Sequence, residues 1–528
     1  MSKINEIKQI LTDHEDLRQY LFIRGFLITN AQGIPTEEYP MYGAWKKTEL
    51  GDGYVLYAHP LTTTATYTEN GRCFFFAGHA YNPFTMQHEE EQVLRDLAAV
   101  YGTDRYLDAL DEVTGVYVYG VLDHGRLEYM VDASGMQSAC YGILNGCMYI
   151  SSHAQLIGDL CGLTMGKLPQ RYVEYKWYYR VMGPYLPADI TVFDEVKRIV
   201  PKIANTYEEG AVKHERFYPR KNVTTVTSDE EYQEVIRASA DILRRNMELI
   251  ARKWPGASIS LTGGIDSNTT FAAANGQYDR FKTFSYISAE KEIRDAEAAK
   301  TVSERFGVEW TCYHIPETAD DIPLYHEYIA ILEHNNGYMA KRRDNENRKR
   351  VYLMQNLEAD VEIKSWVSET IRAYWYKHYG RTRMPKLSPK LYRNLYKIFL
   401  GNRSLAHVTD RLFKEYLEKY EYYSIPNGFP PADIHFWEVC WGSWGGISIS
   451  EMKSYSDVVI PYNNRRFLEL MFRVPLEKRI SDEHHLDMKK ELNPELYDMH
   501  IRVVNMHETA NRARALNVIF TVNSWLPF

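Results

Sequence analysis

The sequence predicts an α/β protein in two parts: an antiparallel, β-rich first part and a doubly wound parallel second part that ends in a helical tail. Three observations carry this. Short β-branched or aromatic runs separated by turn residues fill about the first 200 residues. Strands and helices then alternate from Ser258 to His314, the pattern of a parallel sheet with crossover helices. The 528-residue length also exceeds what one hydrophobic core usually supports. Two domains are therefore expected, 1–215 and 216–528.

In the first part, Tyr20–Thr29 is an apolar run broken only by Arg24 and Gly25. Arg72–Tyr81, Val116–Leu122, Leu127–Val131 and Cys147–Ser151 read as strands, separated by turn signals such as Asp123-His124-Gly125 and Asn145-Gly146. Between them, Val93, Leu94, Leu97 and Val100 recur at helical spacing across His88–Tyr101. The boundary is placed in the polar stretch His214–Thr227. Ser228 and Glu231 form a capping box for a helix reaching Lys253, with Tyr232, Val235, Ile236, Ile242, Leu243 and Met247 on one face. A strand (Ser258–Leu261), a glycine loop, a helix (Asn268–Ala274), a strand (Thr283–Ile287), a helix (Arg294–Phe306) and a strand (Glu309–His314) follow. The tail after about residue 380 reads mostly helical.

The composition, 45% hydrophobic and 25% charged, is that of an ordinary globular chain. A formal net charge of −8 argues against nucleic acid as a partner, since that would require a strongly basic face. The six cysteines are scattered without a C-x-x-C pair, which speaks against disulfides and zinc and fits a reducing cytoplasm. No signal peptide is read at Met1–Glu6, and no apolar run approaches the ~20 residues that span a bilayer. The expectation is a soluble cytoplasmic protein. Oligomeric state is not readable, and a homodimer is compatible with the sequence.

Leu261-Thr262-Gly263-Gly264-Ile265-Asp266-Ser267 lies between a strand and a helix start. Glycines let the backbone approach an anion, and the N–H groups of the following helix add positive partial charge. Asp266 has the wrong sign to touch phosphate directly, but a carboxylate there holds a magnesium ion that bridges phosphate oxygens. Thr262 and Ser267 offer hydroxyls to the same oxygens. The alternative is a generic glycine turn with Asp266 capping the helix.

This string resembles the Ser-Gly-Gly-x-Asp-Ser signature of the PP-loop ATP pyrophosphatases, in particular the asparagine synthetase and β-lactam synthetase group. Weaker likenesses follow in the same order along the chain. Phe76–Asn82 is similar to the Gly-x-x-Tyr-Asn strand of class II glutamine amidotransferase domains, and Val131–Ser138 to their Arg-Asp-x-x-Gly-x-x-Pro turn. Ile150–His153 resembles the following Ala-Ser-Glu, Phe193–Pro201 the exit segment, and Ile460–Arg465 the Val-Pro-Phe-Leu-Asp segment of the synthetase domain. The resemblance implies an Ntn-hydrolase-like antiparallel αββα sandwich, then a HUP-type PP-loop synthetase domain. It also implies ATP and Mg2+ as cofactors, and an ATP-dependent carboxylate–amine ligase working through an acyl-adenylate with release of AMP and pyrophosphate. The partners would be a small-molecule or peptide carboxylate and an amine.

The chain departs from that pattern in instructive places. Glutaminase chemistry needs an N-terminal cysteine whose own amine is the base; Arg24-Gly25 stands there instead, and the first cysteine is Cys73. The ligase is therefore expected to work without glutaminase, the first domain being a relic or an interaction module. After strand Asp360–Lys364, the family's second magnesium motif becomes Ser365-Trp366-Val367-Ser368-Glu369-Thr370, so the resemblance implies Glu369 as the second metal ligand beside Asp266, the alternative being a glutamate favoured by a helix N-terminus. Arg372 is the candidate pyrophosphate partner. The position of the family's acyl-transfer lysine is Ile449, so Lys453, one turn further on, is the candidate substitute, with Glu438 as another catalytic candidate. Ile287 and Ser288 occupy the place of the adenine-binding backbone, and Asp295 resembles an acidic residue found nearby in relatives. The run Lys341–Arg343 with Arg348–Arg350 reads most simply as a solvated helix face. An intramolecular cyclase acting on a natural product or peptide, an intermolecular amidation of a sugar acid or amino acid, and a nucleotide-binding scaffold without catalysis all remain open.

Overall fold

The computed structural model describes residues 3–397, 402–503 and 510–525. Before Phe217 the chain forms β1 (Phe26–Thr29), β2 (Lys46–Gly51), β3 (Tyr54–Ala58), β4 (Thr64–Glu69), β5 (Arg72–Tyr81) and β6 (Thr114–Asp123). It continues with β7 (Arg126–Val131), β8 (Cys140–Leu144), β9 (Cys147–Ser151), β10 (Lys197–Arg198), β11 (Ile203–Glu208) and β12 (Ala211–Arg216). The turn residues read from the sequence set the pairing. His124-Gly125 (φ 49° and 81°) and Asn145-Gly146 (φ 51° and 77°) are left-handed at both positions, as two-residue hairpin turns that match strand twist require. They close β6 on β7 and β8 on β9.

Two six-stranded sheets result, ordered β10-β8-β9-β1-β3-β2 and β12-β11-β7-β6-β5-β4. Their inner faces share one buried core that includes Phe26, Ile28, Leu56, Phe75, Val118 and Ile150. Helix Glu90–Val100 packs outside the second sheet and helix Ala154–Cys161 outside the first, giving αββα layering. The apolar run Tyr20–Thr29 is only partly strand. Phe22 and Arg24 take left-handed φ (49° and 52°) and the Gly25 N–H donates to the Phe22 carbonyl at 2.9 Å, so extension begins at Phe26. Likewise β12 runs to Arg216, into the stretch read as a linker; its alternating exposed and half-buried residues are those of an edge strand.

The second half opens with helix Asp229–Lys253. The Ser228 hydroxyl accepts from the Glu231 N–H at 3.2 Å, and the Glu231 carboxylate reaches back to the Thr227 N–H at 3.0 Å. β13 (Ser258–Ser260), β14 (Lys282–Ile287), β15 (Trp310–His314), β16 (Val361–Ile363) and β17 (Asp457–Val459) form a wholly parallel sheet ordered β15-β14-β13-β16-β17. Helices cover both faces. Ser303 of helix Ile293–Phe306 bonds Thr283 at 2.8 Å, while Lys349 of helix Asp344–Asn356 lies 4.2 Å over the ring of Tyr286 on the other side. The chain fills one side of β13 first and then crosses to the other, so the topological switch point lies between β13 and β16. Ligands of open α/β sheets bind outside the carboxyl ends of the strands at that point.

The tail is mostly helical where described, β17 being the strand it returns to the sheet, with 398–401 and 504–509 outside the described residues. The basic run is not a solvated face: Arg348 and Arg350 are buried, and Arg342 and Arg350 both hold Glu451, at 2.8 and 3.0 Å. Asp344 pairs locally with Arg348, and the charge of Arg342 and Arg350 is compensated from a distant helix. The two halves are joined by a continuous apolar core and by polar ties. Asn463 donates to Asp132 at 2.8 Å and to the Gly115 carbonyl at 2.7 Å, and His79 Nε2 lies 2.7 Å from the Val458 carbonyl.

Burial pushes the imidazole of His79 down to about 4, and those of His153 and His435 down to about 3. Each is neutral in the folded chain, whereas in the unfolded chain each protonates below about pH 6.5. As pH falls from about 6.5 towards 4 the unfolded state gains protons that the folded state refuses. Stability is then lost at up to ~1.4 kcal/mol per pH unit for each such group. Urea midpoints measured from pH 7 to 4.5 are expected to fall steeply, and less steeply in a His435→Phe variant.

Candidate nucleotide site

β13 delivers Leu261–Gly264 to the switch point, and Gly264 caps helix Ile265–Ala273, which begins three residues before the expected Asn268. Asp266 and Ser267 therefore lie in its first turn, where an acidic residue is favoured by the helix dipole. The loop is braced by its own side chains. Ser267 Oγ lies 2.9 Å from Thr262 Oγ1 and accepts from the Thr262 N–H at 3.2 Å, and Asn268 Nδ2 donates to the carbonyls of Thr262 (2.9 Å) and Gly264 (2.8 Å). The Gly263 N–H donates to Asp295 Oδ1 at 3.0 Å, which gives that helix-opening aspartate a definite task. Gly263 must be glycine for a packing reason: a Cβ there would lie 2.2 Å from Val503 Cγ2. The Val503 N–H also donates to the Gly263 carbonyl at 2.9 Å.

Asp266 is the centre of a charge cluster. Arg372 Nη1 donates to its Oδ2 at 2.5 Å; the Ser368 hydroxyl donates to Oδ1 at 2.6 Å; His485 Nε2 lies 3.3 Å from Oδ1. Burial alone would raise this carboxyl, but Arg372, His485 and Ser368 together hold it well below the usual carboxylate range. Arg372 is in turn clamped by Asp482 through two parallel bonds of 2.8 and 2.9 Å, a geometry that fixes the guanidinium plane. Lys377 also pairs with Asp482, and Arg502 approaches it at 3.9 Å. His484 Nδ1 lies 3.1 Å from the Lys478 carbonyl, and its Nε2 lies 2.9 Å from His485 Nδ1. The two imidazoles thus form a line from that backbone carbonyl to within 3.3 Å of Asp266.

The structure brings together Leu261–Ser267, Asp266 and Arg372, with Ser368 and Glu369 on the turn after β16. Glu369 is half-buried and acts on the same guanidinium as Asp266, so both carboxylates face one counter-charge. Among the described residues, three or more His, Cys, Asp or Glu side chains are nowhere grouped to hold a metal by themselves. Magnesium that travels with a nucleotide needs only one or two carboxylates besides phosphate oxygens and water, and two is what this donor set offers. At the expected adenine position, the Ile287 carbonyl accepts from the Ile315 N–H at 2.9 Å. Ser288 gives both its N–H and its hydroxyl to Glu292 Oε2, at 2.7 and 2.8 Å.

Lys453 and Glu438 have their partners elsewhere. Lys453 closes helix Gly446–Met452, which faces the first half, and donates to Gln137 Oε1 at 2.7 Å. Glu438, fully buried, takes two bonds from Arg216 at 2.9 and 3.0 Å and lies 3.3 Å from Lys202 Nζ. The residues missed from the sequence are Ser368, Asp482, His485 and Lys377. Only Ser368 stands inside a recognisable motif. Asp482 and His485 lie more than 200 positions after the loop and carry no local signature. Of the tryptophans, Trp437 stacks on Phe472 in the core, whereas Trp441 and Trp444 gather on half-buried Trp366 at centroid distances of 5.5 and 5.3 Å. Helix Leu476–Ser481, which ends at Asp482, also lines a separate cleft of about 550 Å³ walled by Tyr392, Tyr422, Phe429 and Phe472.

In the first half, Gly25 sits where a Cβ would meet the Phe22 carbonyl at 2.6 Å and Ser152 Oγ at 2.9 Å. Cys140, two strands from β1, donates its thiol to the Ser151 carbonyl at 3.3 Å, and burial pushes that thiol far up, away from thiolate.

A glycine loop at the switch point of a parallel sheet, with Arg372 from the turn after β16 paired to its Asp266, thus stands in an α/β half joined to an antiparallel αββα sandwich. Residues 245–343 match the asparagine synthase family model, so this stretch, which includes the glycine loop, is similar to that family. That match supports an ATP-dependent amide-forming ligase. Among curated proteins, none matches by sequence. Solved structures similar to the chain include the allosteric regulatory enzyme of purine biosynthesis (10% identity, TM-score 0.25, covering 63% of this chain and 92% of that one). Another is the B. subtilis glutamine phosphoribosylpyrophosphate amidotransferase complexed with ADP and GMP (11%, TM-score 0.22, 70% and 74%). A third is glutamine-dependent NAD+ synthetase from Acinetobacter baumannii with ADP (16%, TM-score 0.16, 36% and 38%).

Proposed function

We propose that this chain activates a carboxylate with ATP, forming an acyl-adenylate and pyrophosphate, and passes the acyl group to an amine without hydrolysing glutamine. The observation that carries the reading is Asp266, on the glycine loop, meeting Ser368 and Arg372 from the turn after β16 at the switch point. The loop N–H groups and helix N-terminus receive phosphate oxygens. Arg372, held flat by Asp482, neutralises charge that develops as pyrophosphate leaves. Asp266 and Glu369 are the residues that would hold magnesium, which when bound supplies charge neutralisation on the phosphates. Crowding at Gly25 and the un-ionised Cys140 thiol support the absence of a glutaminase nucleophile. The amine then belongs to the substrate itself, giving a cyclic amide in a natural product or peptide, or to a second molecule, giving an amide on an amino acid or a sugar acid.

One observation favours a second reading, a nucleotide-binding scaffold: Asp266 is already paired with the Arg372 guanidinium. Isotope exchange between pyrophosphate and ATP, measured with a panel of amino acids, dicarboxylates, sugar acids and peptides, decides. Exchange dependent on one carboxylate class is the expected result. ATP binding without exchange for any member would establish the scaffold.

A further inference from the structure

Lys364 is used by nothing described so far, yet it stands at the switch point. It follows directly on β16, and the parallel register that pairs Ser258 with Glu362 and Ile259 with Ile363 sets it beside Ser260, the last residue of β13. Its Nζ lies 3.2 Å from Ser260 Oγ, two residues before Thr262 of the glycine loop. In a parallel pair, residues in register point to the same face, so Glu362, Lys364 and Ser260 share the face on which Tyr286 and Lys349 lie. That is the face opposite Ile259 and Ile363.

A buried lysine is expensive, and this one is only 7% exposed. Glu362 compensates it with a carboxylate oxygen 2.5 Å from Nζ, yet that carboxylate is itself 1% exposed and both its oxygens lack a well-aligned hydrogen bond. A pair meant only to hold two strands together would be better replaced by apolar side chains of similar volume. The arrangement instead keeps an ammonium group charged and fixed at the carboxyl edge of the sheet, on a four-carbon stem long enough to follow a ligand. Lys453, the lysine that the sequence offered for acyl transfer, is committed to Gln137 in the other half of the chain.

We propose that Lys364 is a further nucleotide-binding residue, the cation that meets the polyphosphate of ATP from the β16 side of the crevice while the glycine loop meets it from the β13 side. This rests on the ATP-binding reading above. Glu362 is its positioning residue: it holds the ammonium at the sheet edge when no anion is present and gives it up to one when it arrives.

The test uses the full-length protein and an ATP derivative carrying an acyl group on the γ-phosphate. A lysine amine at the polyphosphate attacks the acyl carbonyl, an amide forms, and ATP leaves; labelled peptides are then mapped by mass spectrometry. Label is expected on Lys364 and is reduced at least about tenfold by excess unmodified ATP. Lys364→Met is expected to weaken ATP binding, read by calorimetry, about tenfold, with Lys364→Arg recovering most of it. The double variant Lys364→Met with Glu362→Gln, which leaves no lone buried charge, keeps the test valid if the single variant does not fold. Label confined to other lysines, with ATP binding unchanged in the double variant, overturns the assignment and leaves the loop's role standing. A wild-type protein that binds no ATP overturns both.

Discussion

Replacing Asp266 with asparagine is expected to lower pyrophosphate–ATP exchange at least about 100-fold, the scale seen when one preorganised charged group is removed from a reacting centre. Asparagine keeps the size of the side chain and an oxygen for the Ser368 hydroxyl, which donates at 2.6 Å, so the loop is expected to hold its shape. What goes is the charge that draws Arg372 and His485 to the loop and that would help to hold magnesium. Arg372 is not left stranded, because Asp482 still clamps it through two bonds. Unfolding in urea should therefore move little while exchange collapses. Asp482→Asn is the informative contrast: it loosens Arg372 and Lys377 together but leaves Asp266 in place, so it should weaken exchange less than Asp266→Asn while costing more stability. Exchange that survives in Asp266→Asn would sink the proposed mechanism.

The sequence is most legible where chemistry is local. The glycine loop and the strand before it are each written in fewer than ten consecutive residues, and the strands and helices that alternate after it lie within three residues of their expected ends. The two hairpin turns were equally legible, because only a few residue types tolerate left-handed φ at both central positions. The site's outer shell was not. His485 reaches Asp266, and Asp482 reaches Arg372 and Lys377, only because helices of the tail fold back over the sheet, and nothing in a helical stretch announces which of its charges will be buried. The same reason explains the basic run at Lys341–Arg350. Its alternation with Asp344 and Glu346 looked like a solvated face, but Glu451, about a hundred positions later, takes up Arg342 and Arg350. Counting back from Pro461 to find the acyl-transfer lysine failed in a related way. A spacing argument fixes a position on a helix but not the direction the helix faces, and helix Gly446–Met452 turns Ser450 towards His153, at 3.0 Å, and so carries Lys453 to the first half.

Glu438 was a catalytic candidate by sequence, and its surroundings predict instead that it is among the most costly single residues to remove. It is wholly buried, with Arg216 donating to both its oxygens and Lys202 at 3.3 Å. The Lys202 ammonium lies 3.5 Å over the ring of Trp437, and burial pushes it down to about 7 even with Glu438 beside it. Removing the carboxylate strands the Arg216 cation in the interior and drives Lys202 to its neutral form, and breaking a buried ion pair in this way typically costs about 3–5 kcal/mol. Glu438→Ala is therefore expected to lower the urea midpoint sharply, while each molecule that remains folded exchanges pyrophosphate at nearly the wild-type rate. Lys202 and Arg216 come from the first half of the chain and Glu438 from the second, so the loss should fall on the joint between them. Lys202→Met combined with Glu438→Gln, which retains a partner for Arg216 without the second cation, should recover much of the midpoint. A Glu438→Ala protein that is as stable as wild type but cannot exchange would return this residue to the reaction.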